Sequence, residues 1–183
     1  YPFLQFDGVD DFMSCVNNGI SDGGNGISSK HAIFFVAKVE QGTQSGLILS
    51  KNISDTDERF FINARFNGTY SHPDILYRDD DTDNLFVNAS SDDLSQVAVF
   101  AVSIKGDTIE LFKNGKSVGS DTDSGYDDFN FYDNTKPLHM GSDDLGSSLF
   151  LNMKMQEMII FNGKFQEAEV KEISTYLQHK YDI

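Results

Sequence analysis

Carboxylates dominate the residues able to do chemistry, with 22 Asp and 7 Glu against 14 Lys and Arg, for a formal net charge of -15. Asp79, Asp81 and Asp83 alternate like the first three oxygen ligands of an EF-hand loop. Asn84 stands where that loop needs Gly, however, and Ser90 where it needs a bidentate Glu, so an EF-hand is excluded. Calcium held by loop carboxylates in another geometry stays open. The candidate ligands are Asp79, Asp81 and Asp83, the pair Asp143 and Asp144, and the pair Asp127 and Asp128; otherwise no cofactor is expected. The competing reading of each run is a solvated loop, because Asp favours turns over helix and strand interiors. His31, His72, His139 and His179 lack the His-x-x-x-His spacing of a zinc site and read as surface or strand histidines. Cys15 stands alone, so no intrachain disulfide forms, and neither a nucleophile signature around it nor a Gly-x-Ser-x-Gly elbow occurs.

With no Trp in the chain, stacking on a sugar ring would fall to Tyr and Phe, helped by side chains that hydrogen-bond hydroxyls. The stretch NGTYSHPDILYRDDD gathers Tyr70, His72, Tyr77 and Arg78 near carboxylates, and these four are the candidate ligand-binding residues. Tyr126 and Tyr132 lie in a second such stretch. Aromatic residues in loop-rich segments also make small local cores.

The acidic surface repels nucleic-acid phosphates and anionic membranes, and no basic patch interrupts it, so no nucleic-acid partner is expected. No apolar run approaches membrane-spanning length, and no signal peptide is seen. The chain starts at Tyr1 without Met and enters a strand at once, which suggests a processed protein or a domain cut from a longer one.

The elements that must position these residues are strands. At 183 residues the chain suits one domain, 1–183, with 16 Phe for its core. Strand patterns fall at 3–6, 12–16, 32–39, 46–50, 59–66, 75–77, 85–87 and 95–104, separated by Gly, Asn and Asp turns. Asn114-Gly115 between two further strands is a strong hairpin signal, since both residues tolerate the positive φ of a type I′ turn. Leu149 to Phe161 is nearly continuously apolar, and Leu151, Met153 and Met155 alternate with Asn152, Lys154 and Gln156. From Gln166 the period changes: Val170, Ile173 and Leu177 share one helical stripe. Ten to thirteen short strands and a single helix predict an all-β, two-sheet antiparallel jelly-roll sandwich with one short C-terminal helix. Met153 and Met155 are expected in its core.

Several residues together resemble a family. FLQFDGVDDF at the start, ELFKNGKSVG, LHMGS, and MQEMIIFNGKFQEAEVKEISTYLQHKY at the end are similar in order and spacing to concanavalin A-like (laminin G-like) jelly-roll domains, in their bacterial or viral branch. In that branch the last strand carries a Glu, and the helix after it closes in Tyr-Leu-x-x-Lys-Tyr; here these are Glu157 and Tyr176, Leu177, Lys180 and Tyr181. The family often opens that helix with Ser or Thr then Asp, whereas Phe165-Gln166-Glu167 stands here, and a frayed start is expected. Hydrolases of the fold carry Glu-x-Asp-x-x-Glu, which supplies the carboxylate pair glycoside hydrolysis needs; no Glu here is followed by Asp two positions on, so an enzyme is not expected. The resemblance implies a non-catalytic recognition or adhesion module that binds glycan at an extracellular, cell or virion surface. A structural virion or fibre module packing against neighbouring protein subunits is the alternative, and a glycan hydrolase comes last. Glu157, alone among apolar neighbours, needs a partner if buried, expected as a donor near the N-terminal strand.

Overall fold

A computed structural model describes residues 2–15, 30–40, 45–51, 59–66, 68–69, 71–78, 84–89, 93–124, 137–143, 148–163 and 165–183, the side chain of Arg59 excepted. Its first half comprises β1 (Leu4–Asp7), β2 (Met13–Cys15), β3 (Lys30–Val39), β4 (Gly46–Lys51), β5 (Arg59–Phe66), β6 (Ser71–Arg78) and β7 (Asn84–Asn88). The second half comprises β8 (Ala98–Lys105), β9 (Thr108–Lys113), β10 (Lys116–Thr122), β11 (Leu138–Met140), β12 (Asn152–Asn162) and the helix α1 (Glu167–Tyr181). The strands form two antiparallel six-stranded sheets, ordered β1-β12-β3-β8-β9-β10 and β2-β11-β4-β5-β6-β7. The expected all-β sandwich with one terminal helix is what forms.

The main core lies between the sheets. Phe35 stacks on Phe100 at 5.3 Å in the first sheet, and the rings of Phe60 and Tyr77 meet at 4.3 Å in the second. A second core lies on the outer face of the first sheet, where Ala32, Phe34 and Val36 of β3, with Val99 and Ala101 of β8, pack under Val170 and Leu177 of α1. Two covered faces explain why HAIFFVAKVE is apolar at odd and even positions alike. Met153 and Met155 are 0% and 2% exposed, in the core as expected.

The β9–β10 hairpin turns at Asn114 (φ 51) and Gly115 (φ 75), the geometry anticipated for Asn-Gly. Its tip rests on the helix. A Cβ at Gly115 would lie 3.4 Å from Lys171 Cγ and 3.5 Å from Ser174 Cβ, ordinary contact distances, so it is the positive φ of the turn that favours glycine here.

A register shift between Met155 and Glu157 leaves Gln156 as an extra residue in β12. This bulge reverses the alternation of the strand. Met153 and Met155 point into the main core, whereas beyond the bulge Ile159 and Phe161 pack with the helix core and Met158 and Ile160 against the main one. Glu157, opposite Val36, therefore faces α1. Both its oxygens accept from Lys180 Nζ at 2.9 Å, and Oε2 also accepts from Tyr181 Oη at 2.9 Å. The expectation of a partner near the N-terminal strand is corrected: the bulge aims Glu157 at the C-terminal helix. Its carboxylate holds the Lys180 ammonium above its ordinary pKa, and burial, then the same carboxylate, raises the Tyr181 hydroxyl. The helix start also differs from expectation. Glu169 Oε2 accepts from the Gln166 backbone N–H at 2.8 Å, one half of a capping box, and Glu167 and Glu169 sit where the helix dipole favours acid.

Candidate functional site

Strand pairing determines which residues share the outer face of the second sheet. Phe60, Ile62 and Ala64 of β5, Ile75 and Tyr77 of β6, and Leu85 and Val87 of β7 belong to the main core, so their neighbours in sequence point outward. Direct partners across strands share a face. One outer row runs Ser14, His139, Ser50, Phe61, Leu76, Phe86; a second runs Leu47, Asn63, Asp74, Asn88; Arg65 pairs with His72, and Arg78 with Asn84.

Half of this face is roofed. The Phe12 ring stacks on His139 at 5.4 Å, Ser50 Oγ donates to Ser142 O, and Leu47 N donates to Leu149 O. At Gly46 a Cβ would stand 2.7 Å from Phe150 O, so this crossing tolerates no side chain. Over β5, β6 and β7 the face presents Phe86, 42% exposed, with Asn84, Asn88 and Arg65 also exposed and Phe61 and Leu76 half-buried. Aromatic and aliphatic surface thus shares one face with amides and a guanidinium.

Beneath Arg65 lies a buried polar pair. Arg65 Nη1 donates to Asp74 Oδ2 at 3.4 Å, and the Arg65 side chain is 57% exposed while that of Asp74 is 3% exposed. His72 Nε2 stands 3.6 Å from Asp74 Oδ1, too far for a good hydrogen bond. Both ring nitrogens of His72, Asp74 Oδ1 and Arg78 Nε are buried without a hydrogen-bond partner among the described residues. Such atoms cost stability. What the arrangement provides in return is a guanidinium tethered through Nη1 on a largely exposed side chain, a group suited to sugar hydroxyls or a carboxylate.

Burial is the largest influence on Asp74 and raises its pKa, against the opposing pull of His72 and Arg65. A carboxyl whose folded pKa lies above its unfolded value makes folding more favourable as pH falls through that raised value. Asp74→Asn removes this linkage. Compared with the variant, the wild type is expected to gain stability as pH is lowered through the weakly acidic range, read from urea midpoints; parallel curves would count against it.

The residues expected from sequence to bind ligand are distributed otherwise. Tyr77 is corrected outright: it is 0% exposed in the main core, its hydroxyl 2.9 Å from His31 Nε2, and it has no face to offer a sugar. His72, 4% exposed, lies under Arg65 and is likewise no contact surface, whereas Arg78 is half-buried on the outer face. These three stand on one strand, β6, and not in a loop-rich stretch. Tyr70, Tyr126 and Tyr132 lie outside the described residues, as do Asp79, Asp81, Asp83, Asp127, Asp128 and Asp144. Asp143 is buried, and its two oxygens accept from Ser148 N at 3.2 Å and Ser148 Oγ at 2.6 Å, so that carboxylate closes a loop. Asp7, Asp10 and Asp11 bring their carboxylates within 4.8 Å of one another, all exposed. Asp7 Oδ1 accepts from Val9 N at 2.8 Å, the bond of an ordinary Asx turn, and Asp11 Oδ2 accepts from Asp7 N at 3.0 Å, so two of the three carboxylates serve the local backbone. Sequence reasoning missed Arg65, Asp74 and Phe86. The signal lay in the alternation of β5, β6 and β7 once their pairing is known.

No protein-family model matches the chain, and no curated protein matches it in sequence. Solved structures do match in shape. The NanB sialidase of Streptococcus pneumoniae superposes with a TM-score of 0.68 at 14% identity, over 91% of this chain and 27% of that one. The CBM40 domain of the Ruminococcus gnavus IT-sialidase, bound to alpha2,3 sialyllactose, gives 0.65 at 12% identity over 93% of this chain and 98% of that one. Domain 4 of AbnA, a GH43 extracellular arabinanase from Geobacillus stearothermophilus, in complex with arabinotriose, gives 0.62 at 15% identity, covering 96% and 82%. This chain thus spans about a quarter of NanB but nearly all of the CBM40 domain. The likeness is one of fold: a two-sheet β-sandwich.

Proposed function

We propose that this chain is a non-catalytic glycan-recognition module of an extracellular, cell-surface or virion protein of bacterial or viral type. The reading rests on one observation. Arg65, held from beneath by Asp74, stands on the same open strand face as the exposed ring of Phe86. A sugar presents apolar C–H faces for stacking and hydroxyls for hydrogen bonding, and this face offers a partner for each. Support comes from the sialyllactose-bound CBM40 domain and the arabinotriose-bound AbnA domain, which share the sandwich. Phe86→Ala and Arg65→Ala are each expected to weaken binding on a glycan array about tenfold or more, Phe86→Ala with the melting temperature little changed and Arg65→Ala with some loss of stability, because it leaves the buried Asp74 carboxylate without its partner. Full binding by the double variant would overturn the assignment of the face, and no binding by the wild type would overturn the function. Calcium at the acidic loops is part of the same proposal, and the array run in chelator tests it: undiminished signal removes the ion.

A second reading, packing against neighbouring protein subunits, draws on the N-terminal stretch, where Phe3, Leu4, Val9, Phe12 and Met13 are all more than 40% exposed. A chain that sediments as a monomer at high concentration would argue against it.

A further inference from the structure

We propose a second binding site on the opposite sheet, one that takes an acidic monosaccharide through its carboxylate. It is independent of the outer-face reading. A cavity of about 280 Å³ opens beside the N-terminal strand, lined by Phe3, Lys38, Val97, Lys154 and Gln156. That is near the lower end of ligand-pocket volumes, roughly 300–1,000 Å³, and suits one sugar ring.

The cavity is chemically unlike the surface around it. In a chain of net charge -15, two ammonium groups converge here on one carboxylate: Glu40 Oε1 is 3.0 Å from Lys38 Nζ and 2.9 Å from Lys154 Nζ. Those hydrogen bonds, Lys154 first and then Lys38, hold the Glu40 carboxyl below its ordinary range, so it is ionised. One negative charge between two positive ones leaves a local excess of one positive charge. Each ammonium has three donors and gives one to Glu40, so donors remain for an incoming anion. The overall negative field is screened beyond roughly 8 Å at physiological salt, so contact charge decides at this range.

Two further features select a sugar over a bare anion. Lys154 Nζ lies 4.9 Å from the centre of the half-exposed Phe3 ring, which with Val97 makes an apolar wall for a ring face. Gln156 Oε1 is buried and has no hydrogen-bond partner among the described residues. It requires a donor, which a simple carboxylate or sulfate lacks and a sugar hydroxyl supplies. The β12 bulge sets Gln156 at this spot.

The test is amide-resolved NMR titration of the whole chain with sodium glucuronate, sodium sulfate and glucose as separate arms. Glucuronate is expected to produce saturable shifts at Phe3, Val97, Lys154 and Gln156, with glucose giving none and sulfate only much weaker ones. Lys154→Gln is expected to weaken glucuronate about tenfold. Glu40→Gln removes the competing charge while keeping the shape, and is expected to tighten binding, which a purely structural pair would not do. Absence of localised shifts overturns the site, sulfate binding as well as glucuronate overturns the sugar, and unchanged or weaker binding by Glu40→Gln overturns the charge argument. Arg65→Ala is expected to leave these shifts intact, so failure of the outer face and failure of this pocket read out separately.

Discussion

Tyr77→Ala is expected to lower the unfolding free energy by about 3–5 kcal/mol, the range for deleting a large buried aromatic. Tyr77 is fully buried, meets Phe60 at 4.3 Å and shares a hydrogen bond with His31, which is itself 0% exposed. Tyr77→Phe keeps the ring and removes the hydroxyl, leaving His31 Nε2 without that bond, for a smaller loss of about 1–3 kcal/mol. Urea denaturation separates the two. Glycan binding by folded Tyr77→Phe is expected to match wild type, because the residue faces the core. A loss of affinity with stability intact would reinstate Tyr77 as a ligand contact.

Leu177→Ala carries the second large effect. Leu177 and Val170 are 0% exposed and clamp α1 onto Phe34 and Val36, so truncation is expected to cost about 2–5 kcal/mol. Glu157→Gln, which weakens the bonds to Lys180 and Tyr181, is expected to cost clearly less. The ion pair is partly open to solvent, with side chains 37% and 24% exposed, and salt screens it. Apolar burial docks the helix, and the carboxylate orients its last turn. Equal losses in the two variants would reverse that order. Lys180 must be charged and Tyr181 must keep its proton to donate. With the ammonium pKa raised, the contribution of this pair is present through neutral pH and is lost as pH rises through the raised value.

Much of the architecture was legible because it depends on local rules. Arg59–Phe66 was delimited to the residue, and the Asn114-Gly115 turn followed from the φ angles those two residues accept. β6 was the costly error. Its chemistry-bearing residues, Ser71, His72, Asp74 and Arg78, look like those of a loop, and only Ile75 to Tyr77 read as strand. Polar residues occupy this strand because its outer face holds a buried charged cluster, which no local propensity reports. Tyr77 was misassigned for the same reason. Pairing puts it opposite Phe60 and hence inward, while Leu76 between Phe61 and Phe86 looks out.

What the sequence by itself determined is the material of the fold: alternating strands, glycine and asparagine turns, and one amphipathic helix. These follow from steric preference and hydrophobic period within a few residues. Tertiary structure alone decided which side chains meet. Arg65 and Asp74 are nine residues apart and become partners only through β5–β6 register, and Lys38 joins Lys154 only through β3–β12 register. The Gln156 bulge inverts the faces of β12 and turns Glu157 toward Lys180 of the helix, 23 residues further on. A shift of one residue in register exchanges the two faces of a strand, and register is set by packing across the whole sheet. That is why the chemistry could not be placed from the chain alone.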